Sequence, residues 1–249
     1  MALRDDGTAP GTRGTSARVG RRTARPSASS GRPATRRRPL SRERVLQAAV
    51  RLADEGGLDA VSMRRLGQAL RVEAMSLYKH VADKEDILDG MADLITGDFD
   101  VPSDDVDWRA AIRRSATSAH EVLLLHPWAG ALIESRVSAG PARLRYLDAV
   151  IGVLSAAGFP MPTVLRAIMT LDSYTYGFTL QELAWPFDAR TAPAAAGSLA
   201  QALPVGEYPS LRAMAEMVTT APWDAVVDFA FGLDLILEGL ERLRESGGG

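Results

Sequence analysis

The stretch SMRRLGQALRVEAMSLYKH, residues 62–80, decides the fold of this chain because it predicts two short helices joined by a tight turn. The first helix is predicted over about 62–70 and the second over about 73–80. The Ser62 hydroxyl is placed to accept a backbone N–H that is left free at the start of the first helix. Apolar side chains are spaced so that the two helices pack on each other; they are Leu66, Leu70, Val72 and Leu77.

The outward face of the second predicted helix is suited to DNA. Its residues are small, hydroxylic, aromatic or basic, and none is acidic; they are Ala74, Met75, Ser76, Tyr78, Lys79 and His80. A helix in the DNA major groove needs such a surface, because it does not repel phosphate and it offers donors to the backbone and base edges. The residues leave two alternatives open: Tyr78 packs partly on the core, and His80 only caps its helix end, where a cation is favoured.

The composition excludes several classes of protein. The 249 residues, 46% of them hydrophobic, suffice for one large domain or two modest ones. Cysteine is absent, which excludes disulfides, a cysteine zinc site and a thiol nucleophile. No apolar run reaches the roughly 18–20 residues of a membrane span, and the N-terminal arginines precede no apolar signal core. We therefore expect a cytoplasmic protein with no membrane partner.

Charge is distributed unevenly along the chain. Residues 1–40 contain ten arginines and two aspartates, whereas the remainder contains 19 basic and 29 acidic residues. Residues 1–39 have almost no large apolar side chain, which predicts a disordered arginine-rich arm, and residues 246–249 predict a disordered glycine tail. A basic arm on an acidic body indicates weak, nonspecific contact with DNA. The alternative is a solvated arm with no specific partner.

Beyond residue 80 the pattern is almost entirely helical, so the predicted fold class is all-α. A proline- and glycine-containing loop is predicted over 186–208. The predicted helices run over about 42–55, 84–96, 108–125, 127–135, 142–157, 162–183, 210–218 and 223–244. The last of these and 163–183 are apolar around most of their circumference, which favours a four-helix interface between two protomers. A central core helix in a monomer is the alternative.

The segment from Leu40 to about Ile95 resembles the DNA-binding domain of the TetR family of bacterial transcriptional regulators. The resemblance is carried by VLQAAVRLADEGGLDAVSMRRLGQAL, residues 45–70, and by SLYKHVADKEDIL, residues 76–88. Farther on, GFPMPTVLRAIMTLDSYTYGFTLQE (158–182) resembles the effector-pocket helix of the tetracycline-repressor branch, and FGLDLILEGLERL (231–243) resembles its dimerisation helix.

The resemblance implies an N-terminal helix-turn-helix head of three helices and a larger helical domain for ligand binding and dimerisation. The head is expected over 40–97 and the larger domain over 98–245. It also implies a homodimer with one effector pocket in each protomer. The chain has no paired carboxylates, Ser/His/Asp set or metal-ligand spacing, so an enzyme is not expected.

Roles at DNA follow from the resemblance and from the residues together. The family pattern implies that Arg64 reaches DNA, that Ser76 and Tyr78 contact backbone or bases, and that His80 and Lys84 bind phosphate. Lys79 and Arg64 suit guanine, whereas Met75 and its small neighbours suit thymine methyls. The predicted DNA-binding residues are Arg64, Met75, Ser76, Tyr78, Lys79, His80 and Lys84.

The effector site departs from the tetracycline-repressor branch. That branch binds the magnesium of a drug chelate through a histidine, and the matching residue is Ile133; an acidic residue matches Gln181 and another histidine matches Asp100. Isoleucine cannot supply a ligand to magnesium, so we expect no metal, no cofactor and no tetracycline–magnesium effector.

An apolar or aromatic effector pocket is predicted instead, with Arg136 and Gln181 as its polar groups. The predicted set is Trp128, Ile133, Arg136, Met169, Tyr174, Phe178, Gln181 and Trp185, with Leu132, Tyr146 and Leu147 as further candidates. The alternative is that each aromatic side chain belongs to the core. His126, before Pro127, is predicted to cap its helix end.

The predicted function is that of a ligand-responsive repressor, released from a palindromic operator by a small effector. Two recognition helices of a dimer would enter successive major grooves roughly 34–36 Å apart. The alternatives are an activator or ligand-independent regulator of the same family, and a nonspecific DNA- or RNA-binding protein that uses the arginine-rich arm.

Overall fold

The computed structural model describes residues 39–137, 140–220 and 224–246. The predicted arm before Pro39, Trp223 at the predicted start of the last helix, and residues 247–249 lie outside the described residues. Every regular element in the described ranges is helical, which confirms the all-α class. The α-helices are α1 Arg42–Gly56, α2 Met63–Leu70, α3 Ala74–Leu77, α4 Lys84–Thr96, α5 Trp108–Leu125, α6 Ala129–Ser135, α7 Pro141–Ala156, α8 Met161–Ala184, α9 Ala192–Ala202, α10 Pro209–Thr220 and α11 Ala225–Glu245.

Three side chains cap the N-termini of helices in the N-terminal region. Ser41 Oγ accepts from the Arg44 N–H at 3.3 Å, and Ser62 Oγ accepts from the Arg65 N–H at 3.3 Å. Asp83 Oδ1 accepts from the backbone N–H of residue 86 at 2.8 Å. Each bond satisfies a donor that the helix itself leaves free, and the predicted starts of α1, α2 and α4 are confirmed.

The second helix of the motif is shorter than predicted. Regular helix ends at Leu77, and residues 78–80 form a turn. The backbone N–H groups of His80 and Val81 both donate to the Leu77 carbonyl, at 2.8 and 3.1 Å. The chain turns here because α4 begins at Lys84, only a few residues later. Tyr78, Lys79 and His80 therefore follow one helical turn rather than belonging to a two-turn helix.

The loop predicted over 186–208 is wrong in its central part, since α9 occupies Ala192–Ala202. Proline and glycine pointed to a loop, but Pro193 lies in the first turn, where no backbone N–H is needed. The rest of the segment is mostly alanine, the strongest helix former. The Arg212 guanidinium on α10 donates to the carbonyls of Ala200 and Leu203, at 2.6 and 2.7 Å, and so closes the C-terminal end of α9.

Two apolar clusters form the interior. The first unites α1–α4 with α5 and α6, and its buried side chains include Leu66, Leu77, Ile87, Leu123 and Ile133. The second joins α5, α7, α8 and α11, and its buried side chains include Trp108, Leu154, Leu171, Phe229 and Leu233. The helix-turn-helix region and α6 thus share one core, while α5 contributes to both clusters.

Helices α8 and α11 each bury one apolar face and expose another. The exposed large apolar residues on these two helices are Met161, Leu165, Met169, Leu180, Leu183, Val227, Phe231, Leu235 and Leu243. Both helices were predicted to be apolar around most of their circumference. Only part of that apolar surface is buried within the protomer. Within the described ranges, no helix combines the length and the apolarity that crossing a bilayer requires.

Candidate functional site

The predicted DNA-binding residues lie on α2, on α3 and its following turn, and at the start of α4. Met75 is 75% exposed and Tyr78 48% exposed, so neither side chain is taken up by the core. Arg64, Lys79 and Lys84 are also exposed, whereas Ser76 and His80 are half-buried. Leu77 is fully buried and anchors the short helix from the opposite side. The structure thus brings together a hydroxylic, aromatic and cationic surface.

The turn between α2 and α3 fixes how this surface is presented. The Val72 N–H donates to the Gly67 carbonyl at 2.9 Å, and a Cβ on Gly67 would lie only 2.9 Å from the Val72 oxygen. Arg71 has a φ of 56°, in the left-handed region that is costly for a side chain with a Cβ. Close backbone approach and a strained turn therefore set the angle between the two helices.

The start of α4 combines an exposed cation with carboxylates that already have partners. Lys84 is the first residue of α4, where the helix dipole also favours phosphate. The guanidinium of Arg42 on α1 binds both carboxylate oxygens of Asp86, at 2.6 and 2.7 Å. That bond holds the pKa of Asp86 below its ordinary value and raises that of Arg42. The pair ties α1 to α4 beside the predicted DNA-binding surface.

Trp128 and His126, at the junction of α5 and α6, both bind the head. The Trp128 indole N–H donates to Asp54 on α1 at 2.7 Å, and His126 Nδ1 lies 2.7 Å from the same carboxylate oxygen. The backbone N–H of His126 closes the end of α5, while its ring faces Asp54. Trp128, predicted as an effector contact, is therefore 8% exposed and engaged with α1.

Arg136, which was predicted as a polar group of the pocket, faces α4. Its Nη1 lies 2.6 Å from Glu85 Oε2 and 3.4 Å from Asp89 Oδ1. The two carboxylates raise its pKa against the effect of burial, and the bond to Glu85 is the larger cause. A guanidinium shared between two carboxylates of α4 is an ionic link from the end of α6 to the predicted DNA-binding head.

The remaining predicted effector residues do not converge on one cavity. Ile133 is buried in the first apolar cluster, while Met169 and Gln181 are exposed. The Tyr174 hydroxyl donates to the Phe229 carbonyl at 2.8 Å. Phe178 packs against other aromatic rings of the second cluster, and Trp185 stacks on Phe187.

His120 lies in a buried polar cluster, and the sequence indicated no definite role for this histidine. Its Nδ1 lies 2.8 Å from Thr179 Oγ1, and its Nε2 lies 3.3 Å from Glu182 Oε2. The ring stacks on Phe229 with 4.1 Å between centroids. Burial lowers the pKa of His120 and raises that of Glu182, so the site favours the uncharged form of each. Thr179 and Glu182 lie three residues apart on α8, a spacing that places both side chains on one face of the helix. That spacing was the signal in the sequence for this cluster.

A narrow cavity, partly open to solvent, lies between α5, α7 and α8. The space free of atoms there is about 480 Å³ including open solvent, but the centre of a water molecule fits within only about 20 Å³ of it. Its walls are mainly aliphatic, and its polar side chains are Ser115, Tyr146, Asp172, Thr175 and Tyr176. Of all the predicted effector contacts, only the further candidates Tyr146 and Leu147 line it.

The polar groups of this cavity are poorly solvated. Burial raises the pKa of Tyr146 to about 12 and that of Asp172 to about 6. The charge of Glu134 adds to the shift of Asp172, and Arg143 opposes it. The pKa of Tyr176 is also raised, by burial first and then by the negative field of Asp172. The Ser115 hydroxyl donates to Tyr146 Oη at 3.1 Å.

Arg143 connects the cavity wall to the head. Its Nη1 donates to the carbonyls of Ile133 and Arg136, both at 3.0 Å, and its backbone N–H donates to Asp93 on α4 at 2.9 Å. Arg143 lies one turn before Tyr146 on α7. The wall formed by α7 is thus bonded to the end of α6 and to α4.

A drug-chelated magnesium finds no ligand at the position that the family resemblance assigns to it. The side chain there, Ile133, is aliphatic and 1% exposed. Gln181 is exposed on α8, and no cluster of three or more potential metal-binding side chains occurs in the ranges that the structure describes. The residues present do not fit the metal chelate of the tetracycline-repressor branch.

Two family descriptions match the sequence. Residues 45–91 match "Bacterial regulatory proteins, tetR family", and residues 101–244 match "Tetracyclin repressor-like, C-terminal domain". The HTH-type transcriptional repressor DrrR1 of Streptomyces coeruleorubidus is 32% identical over 214 residues, which cover 82% of this chain and 78% of that protein. The class A tetracycline repressor from transposon 1721 of Escherichia coli is 32% identical over 203 residues, 80% of this chain and 90% of the repressor.

The fold agrees with these relatives. The crystal structure of the Streptomyces coelicolor TetR family protein ActR in complex with actinorhodin matches with a TM-score of 0.70 and 25% identity, over 81% of this chain and 95% of that chain. Since the family and the named relatives are transcriptional regulators, the chain is a DNA-binding transcriptional regulator and not an enzyme. It belongs to the tetR family of bacterial regulatory proteins, with a tetracycline-repressor-like C-terminal domain.

Proposed function

We propose that this regulator is a homodimeric repressor that leaves a near-palindromic operator when a small apolar or aromatic effector enters the cavity between α5, α7 and α8. One observation carries the proposal. The α7 wall of that cavity is bonded through Arg143 to the end of α6, where Arg136 is paired with carboxylates of α4. A change at the cavity wall therefore has a bonded route to the DNA-binding head.

The DNA contacts in this proposal are the seven predicted residues. Tyr78 and Met75 are exposed apolar surfaces for base edges, and Ser76 adds a hydroxyl. Arg64 and Lys79 are the proposed base readers, while His80 and Lys84 are proposed to bind phosphate. Phosphate contacts supply affinity and register, whereas base contacts supply specificity.

The proposed dimer interface is the exposed apolar face shared by α8 and α11. Leu165 on α8 and Phe231 on α11 are more than 60% exposed, which is unusual for large apolar side chains. A symmetric pairing of these two helices with the same helices of a second copy would bury both faces in a four-helix arrangement. It would also place two heads on one DNA duplex.

The narrowness of the cavity supports a response to ligand. A molecule larger than water has to displace α5, α7 or α8, since little of the cavity admits even the centre of a water molecule. Displacement of α7 strains the bonds of Arg143 and, through α6, those of Arg136 to Glu85 and Asp89. An effector shifts the equilibrium only by its difference in affinity for the two dimer shapes.

The relatives support the sign of regulation and the kind of signal. DrrR1 and the class A tetracycline repressor are named repressors, and ActR was crystallised with actinorhodin. We therefore assign repression, relieved by a small molecule, to this chain.

Operator selection tests the proposal. The full-length chain is used to select duplexes from a random pool, and fluorescence anisotropy then compares the selected duplex with a scrambled one at physiological salt. We expect a two-fold symmetric site that binds about a thousandfold or more tighter than scrambled DNA. Equal binding of the two duplexes would favour the nonspecific alternative, and operator binding that no small molecule alters would favour a ligand-independent regulator.

A crosslinked dimer tests the route through α4. The two heads are joined by a disulfide between engineered cysteines while the dimer is bound to operator. The protein has no native cysteine, so the crosslink is unambiguous. We expect the locked dimer to keep operator bound when effector is added; release from it would contradict the proposed route.

A further inference from the structure

We infer that the effector is a cation, an apolar or aromatic molecule with a protonated amine that pairs with the Asp172 carboxylate. The inference rests on the proposed function, because it takes the cavity between α5, α7 and α8 to be the effector site. It goes beyond that function by naming the charge of the ligand and the side chain that selects it.

Of the residues that line the cavity, Asp172 is the one with a charged side chain. Across residues 39–137, 140–220 and 224–246, no side chain or backbone group forms a hydrogen bond or close ion pair with its carboxylate. Arg143 and Glu134 act on it only through their electrostatic fields, which oppose each other. A half-buried carboxylate of this kind lacks the partner that buried charges ordinarily have.

The groups around Asp172 favour a cation and disfavour an anion. Two tyrosine rings, Tyr146 and Tyr176, line the same cavity, and an ammonium group is attracted to the face of such a ring. The aliphatic remainder of the wall, including Ile168 and Leu171, suits the apolar body of the ligand.

The charge balance decides between classes of ligand. A neutral ligand would leave the carboxylate unpaired and even less solvated, and an anionic ligand would add repulsion to that cost. An ammonium group instead forms a charge-assisted hydrogen bond, roughly twice as strong as a neutral one. The cavity therefore discriminates by charge as well as by shape.

The test uses two probes that differ by one positive charge. Dansylcadaverine carries a primary ammonium group at neutral pH, and its N-acetyl derivative has the same apolar body without the charge. Dansyl fluorescence and anisotropy report binding to the full-length dimer at pH 7.5. We expect wild-type protein to bind the amine at least about tenfold tighter than the acetylated probe, as expected for one charge-assisted contact.

Variants assign the discrimination to one side chain. Asp172→Asn should abolish the preference for the amine, and Asp172→Glu, which keeps the charge, should restore part of it. Asp148→Asn makes the same charge change on the exposed surface of α7 and should leave the preference intact. Circular dichroism checks that each variant is folded. Equal binding of the two probes, binding of neither, or a preference that survives in Asp172→Asn would overturn the inference.

Operator release separates this inference from the proposed function. If a neutral compound released operator and cations did not, the cavity would be an effector site but the charge assignment would be wrong. If amines bound through Asp172 without changing operator affinity, the cation site would stand and the proposed function would fail.

Discussion

At the scale of single residues, Asp172 makes stability depend on pH. Its pKa is about 6 in the folded chain, against an ordinary value of 3.8. The folded state therefore binds more protons than the unfolded state between these values, and stability is lost as pH rises through that window. The ionisable groups that act on it are Glu134 on α6, Arg143 and Tyr146 on α7, and Tyr176 on α8.

We predict that Asp172→Asn stabilises the protein at pH 7.5 by about 1–3 kcal/mol, because it removes an unpaired charge. Urea unfolding at pH 7.5 and at pH 4 measures the effect, and the gain should shrink at pH 4, where the Asp172 carboxyl is protonated in the folded state and only partly ionised in the unfolded state. Asp148→Asn serves as the control. A gain of equal size at both pH values would count against the charge as its cause.

Lys84 tests the phosphate contacts. We predict that Lys84→Ala weakens binding to operator and to scrambled DNA alike, since a phosphate contact carries no sequence information. The slope of log affinity against log salt concentration should fall by about one. Arg145→Ala removes the same charge from an exposed position on α7 and should leave both quantities unchanged. An unaltered salt slope in Lys84→Ala would remove this residue from the DNA interface.

At the scale of elements, the turn between α2 and α3 is constrained by a close backbone contact. A Cβ at Gly67 would lie 2.9 Å from the Val72 oxygen and 3.3 Å from the Ala74 nitrogen, so α3 has to move. We predict that Gly67→Ala costs about 1–3 kcal/mol of stability, the range of an overpacked contact, and also lowers operator affinity. Thermal unfolding and anisotropy measure the two effects.

Gly152 provides the matched control for that substitution. It lies within α7, and a Cβ there meets no atom within 4 Å. Alanine should therefore stabilise the helix by up to about 1 kcal/mol through its higher propensity. If Gly67→Ala were as harmless as Gly152→Ala, the close approach of α2 and α3 would not be a constraint.

Short-range signals in the sequence predicted most of the helices. Features that depend on contacts between residues distant in the chain were not predicted. Ser62 acts within one turn of itself, so its cap was visible in the sequence. Asp172 was missed because α8 is apolar on several faces, and periodicity does not tell which face meets α5 and α7. Arg136 was expected in the pocket, but its carboxylate partners lie 47 and 51 positions away in the chain.

At the scale of the whole molecule, the exposed apolar faces of α8 and α11 predict that a charge there separates the protomers. Phe231, 64% exposed in the protomer, is the test position. Phe231→Asp should give a monomer in sedimentation velocity and weaken operator binding by about a hundredfold or more, because two linked half-sites become independent. Leu125→Asp, at an exposed position on α5, is the control. A dimeric Phe231→Asp with full operator affinity would exclude this face.

The tightness of the cavity between α5, α7 and α8 has a kinetic consequence. Because the cavity has room for little more than a water molecule, a larger ligand enters only during the intervals in which the helices have parted. The observed association rate should then level off at high ligand concentration, at the rate of helix opening, instead of rising without limit. Stopped-flow fluorescence with dansylcadaverine measures this plateau. The speed of derepression would thus be set by how often the protein opens, whatever the dose of the signal.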